Sequence, residues 1–572
     1  MLEHVRIHPL CGACSYAFIP GDEVISLIKR LDNKIEATYP ASKYLDSLYC
    51  HQSNPHRMFC RLPDCIRCAS AKQAVTVHKD CLELFERAHI SSDTLSCLWT
   101  MATWRSPWHD APILHLAPSS TTEIKEYIRR AAEEWKLPGL ESLPMELDLL
   151  IYEQLPQSCL RRYISLWTVA RWWIFEYNRK LLTISINEIE KWHRGTRPTI
   201  HMQAETNEHN GDKSFIRLSV DSQGLRSIER LKPGSANNGL LESNPALYIV
   251  EAAECFSTAS IEYMFPFARL QLTGGLEENF RIWDTPSPPD WKDCVIDYKY
   301  TRTKSYLSTL NARTCNGITF FTCCNMIWAI HAHTSAQPSA QSTFKTLNPK
   351  QQAVAQWVYV PISSGDFITA FGWSYTDNQA RFFLRLKLAG EVVVGSTSNI
   401  TAENIQLIKQ PSILIYERPD SQKITFVGGV AEPTISFEIP AFMPFNYRRT
   451  PFISANYSSA PLFNVCRTHI YHEAGTKTCR GILVEYLDGS KRALGHCRVG
   501  IDQTEVCIEP GQLCYAPTIS ANPRSGLRQQ SVQVVISKEN AHEHDGPDWI
   551  CCAMKGVLGF WFNHNDTQIE VY

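Results

Sequence analysis

Cys11-Gly12-Ala13-Cys14, then Ala17-Phe18-Ile19-Pro20-Gly21-Asp22-Glu23-Val24-Ile25, and far downstream Val77-His78-Lys79-Asp80-Cys81, frame the N-terminal part of this chain. Between them stand Cys50, His51, His56, Cys60 and the pair Cys65-x2-Cys68. Three close pairs with spare donors fit two tetrahedral zinc sites. A tight turn aims two donors of one pair at an ion at about 2.0–2.3 Å, and a distant second pair completes the tetrahedron. Buried free cysteines packing as small hydrophobes are the competing reading, but a core does not account for paired spacing in a loop-rich segment. Closed sites would make zinc structural, holding together a stretch with few apolar runs of its own.

At 572 residues the chain exceeds the size at which a single core stops growing, so several domains are expected. Hydrophobic residues are 44% and charged residues 20%, with 56 basic against 58 acidic, so no global polycation is available to hold nucleic acid, which is not expected as a partner. The start Met1-Leu2-Glu3-His4-Val5-Arg6 has no apolar core behind a positive end, and the most apolar helical stretch, Trp167 to Phe175, is interrupted by Arg171. These features predict a soluble intracellular protein, in cytoplasm or nucleus, with no membrane partner. The 21 cysteines then read as reduced thiols, several on metal.

The opening Cys-x2-Cys, the Phe-x-x-Gly-Asp-Glu-Val that follows and the closing Val77-His78-Lys79-Asp80-Cys81 resemble the first half of a RING-type or treble-clef zinc module. The resemblance implies that Cys11, Cys14, His78 and Cys81 share one ion. A second ion could take Cys60, Cys65 and Cys68, with Cys50, His51 or His56 as fourth ligand. The last Cys-x2-Cys pair of a RING is missing after Cys81, where only Cys97 follows, so ubiquitin ligase activity of the chain's own is not implied.

After a stretch containing Pro107, Pro112 and Pro118-Ser119-Ser120, the run from Thr121 to Lys136 reads as a capped helix with Ile124, Tyr127 and Ile128 on one face. Leu147, Leu150, Ile151 and Leu155 recur at helical spacing between Pro144 and Pro156, and a third helix is predicted from about Cys159 to Arg179. The pattern Leu143-Pro144-x-Glu146-Leu147-x3-Ile151-x3-Leu155-Pro156, followed by a second amphipathic helix, resembles the F-box. That family implies that Leu143, Pro144, Ile151 and Leu155 dock a Skp-type adaptor, with a cullin ligase behind it, by helix-in-groove recognition. The second half departs from the family, since Trp167, Trp172 and Trp173 stand where smaller residues are usual. An αα-hairpin that only packs against its neighbours is the alternative.

From Thr199 onward short alternating runs replace helical periodicity: Phe215–Asp221, Ile318–Phe321, Trp357–Val360, Phe382–Leu388 and Val532–Ile536. Turns are signalled at Asp221-Ser222-Gln223-Gly224, Ala389-Gly390-Glu391 and Leu487-Asp488-Gly489-Ser490. A weak repeat, Thr314-Cys315-Asn316-Gly317-Ile318 echoed by Thr478-Cys479-Arg480-Gly481-Ile482 at an offset of 164 residues (481 minus 317), suggests two related β modules. The expected fold class is α+β multidomain. It comprises a small zinc-stabilised module at 1–100, a linker and helix at 101–138, a short F-box-like helical segment at 139–195, and a large, mostly antiparallel β region at 196–572, sandwich, prism or propeller-like. The arrangement, with its closing Met554-Lys555-Gly556-x3-Phe560-Trp561-Phe562, also resembles a group of filamentous-fungal proteins, which implies an organism type and no activity. Pro361 to Gly372 loosely resembles a β-prism lectin hairpin.

Candidates for catalysis are few. His331-x-His333 would put two imidazoles on one strand face, and His542-x-His544-Asp545 offers another pair, each short of a third ligand; polar side chains on a solvated sheet explain both. There is no Gly-x-Ser-x-Gly, phosphate loop, Gly-x-Gly-x-x-Gly or His-Glu-x-x-His. The expectation is therefore a non-enzymatic substrate-recognition adaptor of a cullin-type ubiquitin ligase, with a Skp-type adaptor on the helices and an unknown protein client on the β region. A carbohydrate- or protein-binding scaffold with a structural zinc knuckle is the alternative, and a metal-dependent enzyme centred on His331 and His333 a third.

Overall fold

The computed structural model describes the chain except for residues 1–2, 31, 33, 46–49, 55–56, 63–64, 70, 72, 89–92, 110, 113, 115, 117–123, 156–158, 175–180, 201–213, 232–245, 273–279, 298–305, 325, 377–378, 396–404, 418–423, 433–441, 443–449, 474, 522–527, 540–543 and 545–547. It is β-rich and mostly antiparallel, with a Cys/His cluster at the N-terminal end. Two compact units divide it: Met1–Pro288 with Lys304–Tyr306, and Pro289–Thr303 with Leu307–Tyr572. Among the described residues no helix is long and apolar enough to cross a membrane.

The first unit opens with β1 (Glu3–Arg6), β2 (Glu23–Lys29), β3 (Ile35–Ala37), β4 (Ser42–Lys43), β5 (Cys50–Asn54), β6 (Arg57–Cys60), the single turn α1 (Ile66–Ala69), β7 (Ala74–His78), α2 (Lys79–Ala88) and α3 (Thr94–Thr103). β2 is the centre of this layer, pairing antiparallel with β3, β4 and β7. Every residue of β7 is buried, and the polar side chain at its centre, Thr76, meets Ser26 of β2 at 3.2 Å between hydroxyls. Buried hydroxyls in such a position need a partner, and each supplies the other's.

Helices α4 (Ile124–Glu134), α5 (Pro138–Glu141), α6 (Met145–Gln154) and α7 (Cys159–Ile174) follow. The three helices read from periodicity are present, although Thr121, Pro156 and residues 175–180 lie outside the described residues. On α7, Leu160, Tyr163, Ile164, Trp167 and Ala170 recur at helical spacing and are buried. They join one continuous core with Cys11, Cys14, Leu27, Val77, Phe85 and Leu98. The cysteine-rich segment and the helices therefore share an interior, because neither has enough apolar surface to close a core alone.

A β layer completes the unit. A five-stranded antiparallel sheet runs in the order Thr199–Ile200, Ile189–His193, Gly224–Leu231, Phe215–Asp221, Leu247–Ala252, and a three-stranded one in the order Phe267–Gln271, Ser260–Met264, Leu182–Ser185. Trp192, Leu218, Ile228, Ile249, Phe256 and Ile261 fill their common core. A β region starting at residue 196 would cut through both sheets, since 182–185 and 189–193 pair with strands beyond it. The hairpin turn at 221–224 is the one signalled by its Asp-Ser-Gln-Gly sequence. Its carboxylate, Asp221, receives both Nη atoms of Arg194 at 2.8 Å, and Gly224 has φ +98°, where a Cβ would strike the Trp104 carbonyl at 2.1 Å. Only glycine fits that close approach in that conformation.

The second unit contains two runs of strands. In the first, a three-stranded sheet with its first strand central (Gly317–Cys323 between Met326–His333 and Gln356–Pro361) is followed by a four-stranded one ordered third, second, first, fourth (Ile368 to Lys409). In the second run the same two patterns come in the opposite order, four-stranded from Val465 to Ile508 and three-stranded from Gln512 to Ala553. The echoed motifs thus begin interior strands with different places in their sheets. Each motif contains a buried cysteine, Cys315 just before its strand and Cys479 as the first residue of its own. Phe320, Phe371, Phe382 and Phe426 form an aromatic nucleus with ring centroids 4.7–5.9 Å apart in the common core.

His496 joins the two runs. Its Nδ1 accepts from the Trp357 N–H at 3.1 Å and its Nε2–H donates to the Asn563 carbonyl at 2.9 Å, while the backbone pairs with Val358. Both nitrogens are committed to the neutral tautomer, and burial pushes the imidazole down from 6.5 to about 4. Below pH 6.5 the unfolded chain takes up a proton that the folded chain refuses, so stability falls between pH 6.5 and 4 and levels off below. The loss should be on the order of 3 kcal/mol. Urea midpoints measured across that window should show a weaker pH slope in His496→Gln than in the parent chain.

Candidate metal centres and an exposed helix face

Two four-donor clusters lie in the first unit, and each could hold a metal ion. In the first, one donor atom each from Cys11, Cys14, His78 and Cys81 lies within 4.8 Å of every other, and all four residues are buried. Cys11 and Cys14 stand on a tight turn closed by the Ser15 N–H donating to the Cys11 carbonyl at 2.8 Å. His78 ends β7 and Cys81 begins α2, so the strand-to-helix junction supplies the second pair. The structure thus brings these four residues together.

His78 Nδ1 is 3.5 Å from Cys14 Sγ and 3.8 Å from Cys81 Sγ. A tetrahedron with metal–sulfur 2.3 Å and metal–nitrogen about 2.05 Å has a sulfur–nitrogen edge of about 3.6 Å, so these separations are those of ligands on one ion. On the far side of the ring, Nε2 meets Asp22 Oδ2 at 3.2 Å. The antiparallel pairing of Val24 with His78 carries the Gly21-Asp22 turn to that position. A carboxylate there fixes the tautomer and leaves Nδ1 as the donor. The backbone N–H of His78 points at Cys11 Sγ at 3.3 Å.

Three thiols in one dry site cannot all ionise by themselves. Burial and the hydrogen bond with Cys11 push Cys14 well up, and hydrogen bonds with Cys11 and Cys14, then burial, do the same to Cys81. Burial works against Cys11 as well, but hydrogen bonds from Cys14 and Cys81 and the neighbouring His78 outweigh it and hold Cys11 well below the usual thiol range. A bound dication offsets the charge that the donors acquire. The surroundings are built around this point: Ser165 of α7 donates to the Cys14 carbonyl at 2.7 Å, and Arg105 donates to the Ala13 carbonyl and, at 2.7 Å, to the Ser222 carbonyl of the 221–224 turn.

The second cluster consists of His4, Cys60, Cys65 and Cys68. His4 Nδ1 is 3.8 Å from Cys65 Sγ and 3.5 Å from Cys68 Sγ. Parallel pairing of β1 with β6 sets His4 beside the strand that ends in Cys60, and Cys65, just before α1, is turned toward Cys68 within it by the Cys68 N–H donating to the Cys65 carbonyl at 3.0 Å. The backbone N–H of Cys68, which bonds back to residue 65, lowers the Cys65 thiol. The three expected cysteines are together. The fourth donor among the described residues is His4; the side chains of Cys50 and His51, and the whole of His56, lie outside them. A single histidine in Glu3-His4-Val5-Arg6 carries no local sign of this role, which arises only from strand pairing.

His331 and His333 are not on a solvated sheet face. Both are buried beneath the 334–345 connection, with each ring nitrogen engaged: His331 with Thr343 Oγ1 at 2.8 Å and the Gln337 carbonyl at 3.1 Å, His333 with Thr319 Oγ1 at 2.7 Å and the Pro338 carbonyl at 2.9 Å. They are satisfied core histidines with no nitrogen left for a metal. Asp366, in the lectin-like stretch, accepts the backbone N–H groups of Phe367, Leu388 and Ala389, so its carboxylate serves the turn.

The F-box-like residues divide by side. On α6, Leu149, Ile151 and Tyr152 pack against the unit's core, while Met145, Leu147, Leu150 and Leu155 are exposed. Of the four residues singled out from sequence, Pro144 and Leu155 face outward and Leu143 and Ile151 are half-buried. Asp148, by contrast, is buried, and burial raises its carboxyl. No protein-family model and no curated protein matches this chain, so the F-box resemblance stands on these residues alone.

Replacing Asp22 with Asn should leave the fold intact and lower metal affinity at the first cluster by about 10- to 100-fold. Competition against a coloured chelator reads that change directly.

Proposed function

We propose that this protein is a non-catalytic recognition adaptor. In this reading α6 presents an apolar face to a Skp-type adaptor of a cullin ubiquitin ligase, zinc fills the two N-terminal clusters as a structural ion, and the β-rich second unit holds a protein client. The observation that carries the reading is the exposed apolar pair Leu147 and Leu150, one turn apart on α6, with Met145 exposed at its start and Leu155 just past its end, on a helix whose Leu149, Ile151 and Tyr152 are anchored in the core. Apolar anchors on a rigid helix are what helix-in-groove docking requires, and their exposure in an isolated chain is otherwise unfavourable. Zinc suits the donor sets because three thiolates and an imidazole form a closed tetrahedral site without an open coordination position, as structural zinc has.

Capture of a Skp-type adaptor by the full-length chain tests the proposal. Leu147→Lys with Leu150→Lys should abolish capture, while thermal unfolding stays within the roughly 0.5 kcal/mol expected for surface changes. A parent chain that never binds the adaptor refutes the proposal. Because α7 and the first cluster share one core, stripping zinc with a chelator should also weaken adaptor capture, accompanied by loss of near-ultraviolet circular dichroism.

A further inference from the structure

A third group of metal-type donors lies in the second unit. Cys514, on the strand Gln512–Ala521, stands directly opposite Cys551, on the strand Ile550–Ala553. Partners in an antiparallel pair project to the same face. Leu513 points the other way into the unit's core, yet Cys514 is itself fully buried. His544 brings its Nε2 to 3.3 Å from Cys551 Sγ, and its ring stacks on Trp549 with centroids 4.2 Å apart and planes 7° from parallel. The donor atoms of the three residues lie within 4.8 Å of one another.

We infer that Cys514, Cys551 and His544 form a three-donor site for a zinc-class ion, with its fourth position open to solvent. Two thiolates and one imidazole are the donor chemistry that soft-tolerant d10 ions select over calcium or magnesium. Two thiolates also balance a dication, so a filled site is neutral. Neither cysteine is in a disulfide. Directly opposed strand residues hold their Cβ atoms about 4.5–5.5 Å apart. That is wider than the roughly 3.5–4.5 Å of a disulfide. Trp549 fixes the imidazole plane, the role that orienting groups play around metal-bound histidines. Cys551 is exposed, so among the described residues the donor group can be reached from solvent. Three protein ligands plus water leave a position that an exogenous ligand can occupy, unlike the closed N-terminal clusters.

Zinc content per chain decides the matter, measured on full-length protein purified under reducing conditions and on Cys551→Ser and His544→Ala. Each variant should carry one ion fewer than the parent. Whatever the N-terminal clusters hold cancels in that difference, so it reads this site alone. Equal zinc in all three proteins overturns the inference, as does a Cys514–Cys551 disulfide recovered from the parent chain. Alkylation of the unmutated protein provides a check that needs no variant. Added zinc should protect Cys551 from iodoacetamide several-fold, and an unchanged rate counts against the site.

Discussion

The first unit depends on a conflict between burial and charge at Cys11, Cys14, His78 and Cys81. Three thiols and an imidazole are held together where no water reaches them, and a thiolate in such a place is stable only beside a compensating cation. The groups around it are arranged accordingly. Asp22 orients His78, Ser165 of α7 holds the Cys14 carbonyl, and Arg105 links the knuckle to the 221–224 turn. Strand, helix and β layer therefore converge on one point, and the helical segment inherits its rigidity from that point.

This arrangement ties the exposed face of α6 to the cluster. α6 packs on a core that contains Cys11, Cys14 and Cys81 as well as Tyr163 and Trp167. An exposed pair of leucines can serve as a docking surface only if the helix beneath does not collapse onto it, and the inward-facing Leu149, Ile151 and Tyr152 prevent that. The buried Asp148 has an oxygen without a hydrogen-bond partner, a local cost within an otherwise well-satisfied helix.

The second unit is organised differently. Its aromatic nucleus is apolar, and its buried polar side chains are spent on architecture: His331 and His333 on a covering connection, Asp366 on a turn, His496 between the two runs of strands. Each resembles a functional group in the linear sequence. What distinguishes the Cys514, Cys551 and His544 group is that three donor atoms of metal-binding type lie within 4.8 Å of one another.

Local patterns in the sequence were sufficient for several features. Paired Cys-x2-Cys and His-x2-Cys spacing marked the donor pairs, because the two donors of a pair sit on one turn, and it was the RING-type resemblance that implied which pairs belong together. Alternation and Gly/Asp turns located strands such as Phe215–Asp221 and the hairpin at 487–490, and helical periodicity located α4, α6 and α7, since side-chain direction follows backbone period. Tertiary structure alone decided that His4 joins Cys60, Cys65 and Cys68, that His331 and His333 are covered, and that Leu147 and Leu150 face outward while Ile151 turns in. It also decided that Cys514 meets Cys551 and His544. Those outcomes depend on which strands pair and which loop lies over which sheet. Such long-range choices are set by the total burial of apolar surface and leave no mark at the spacing of any single motif.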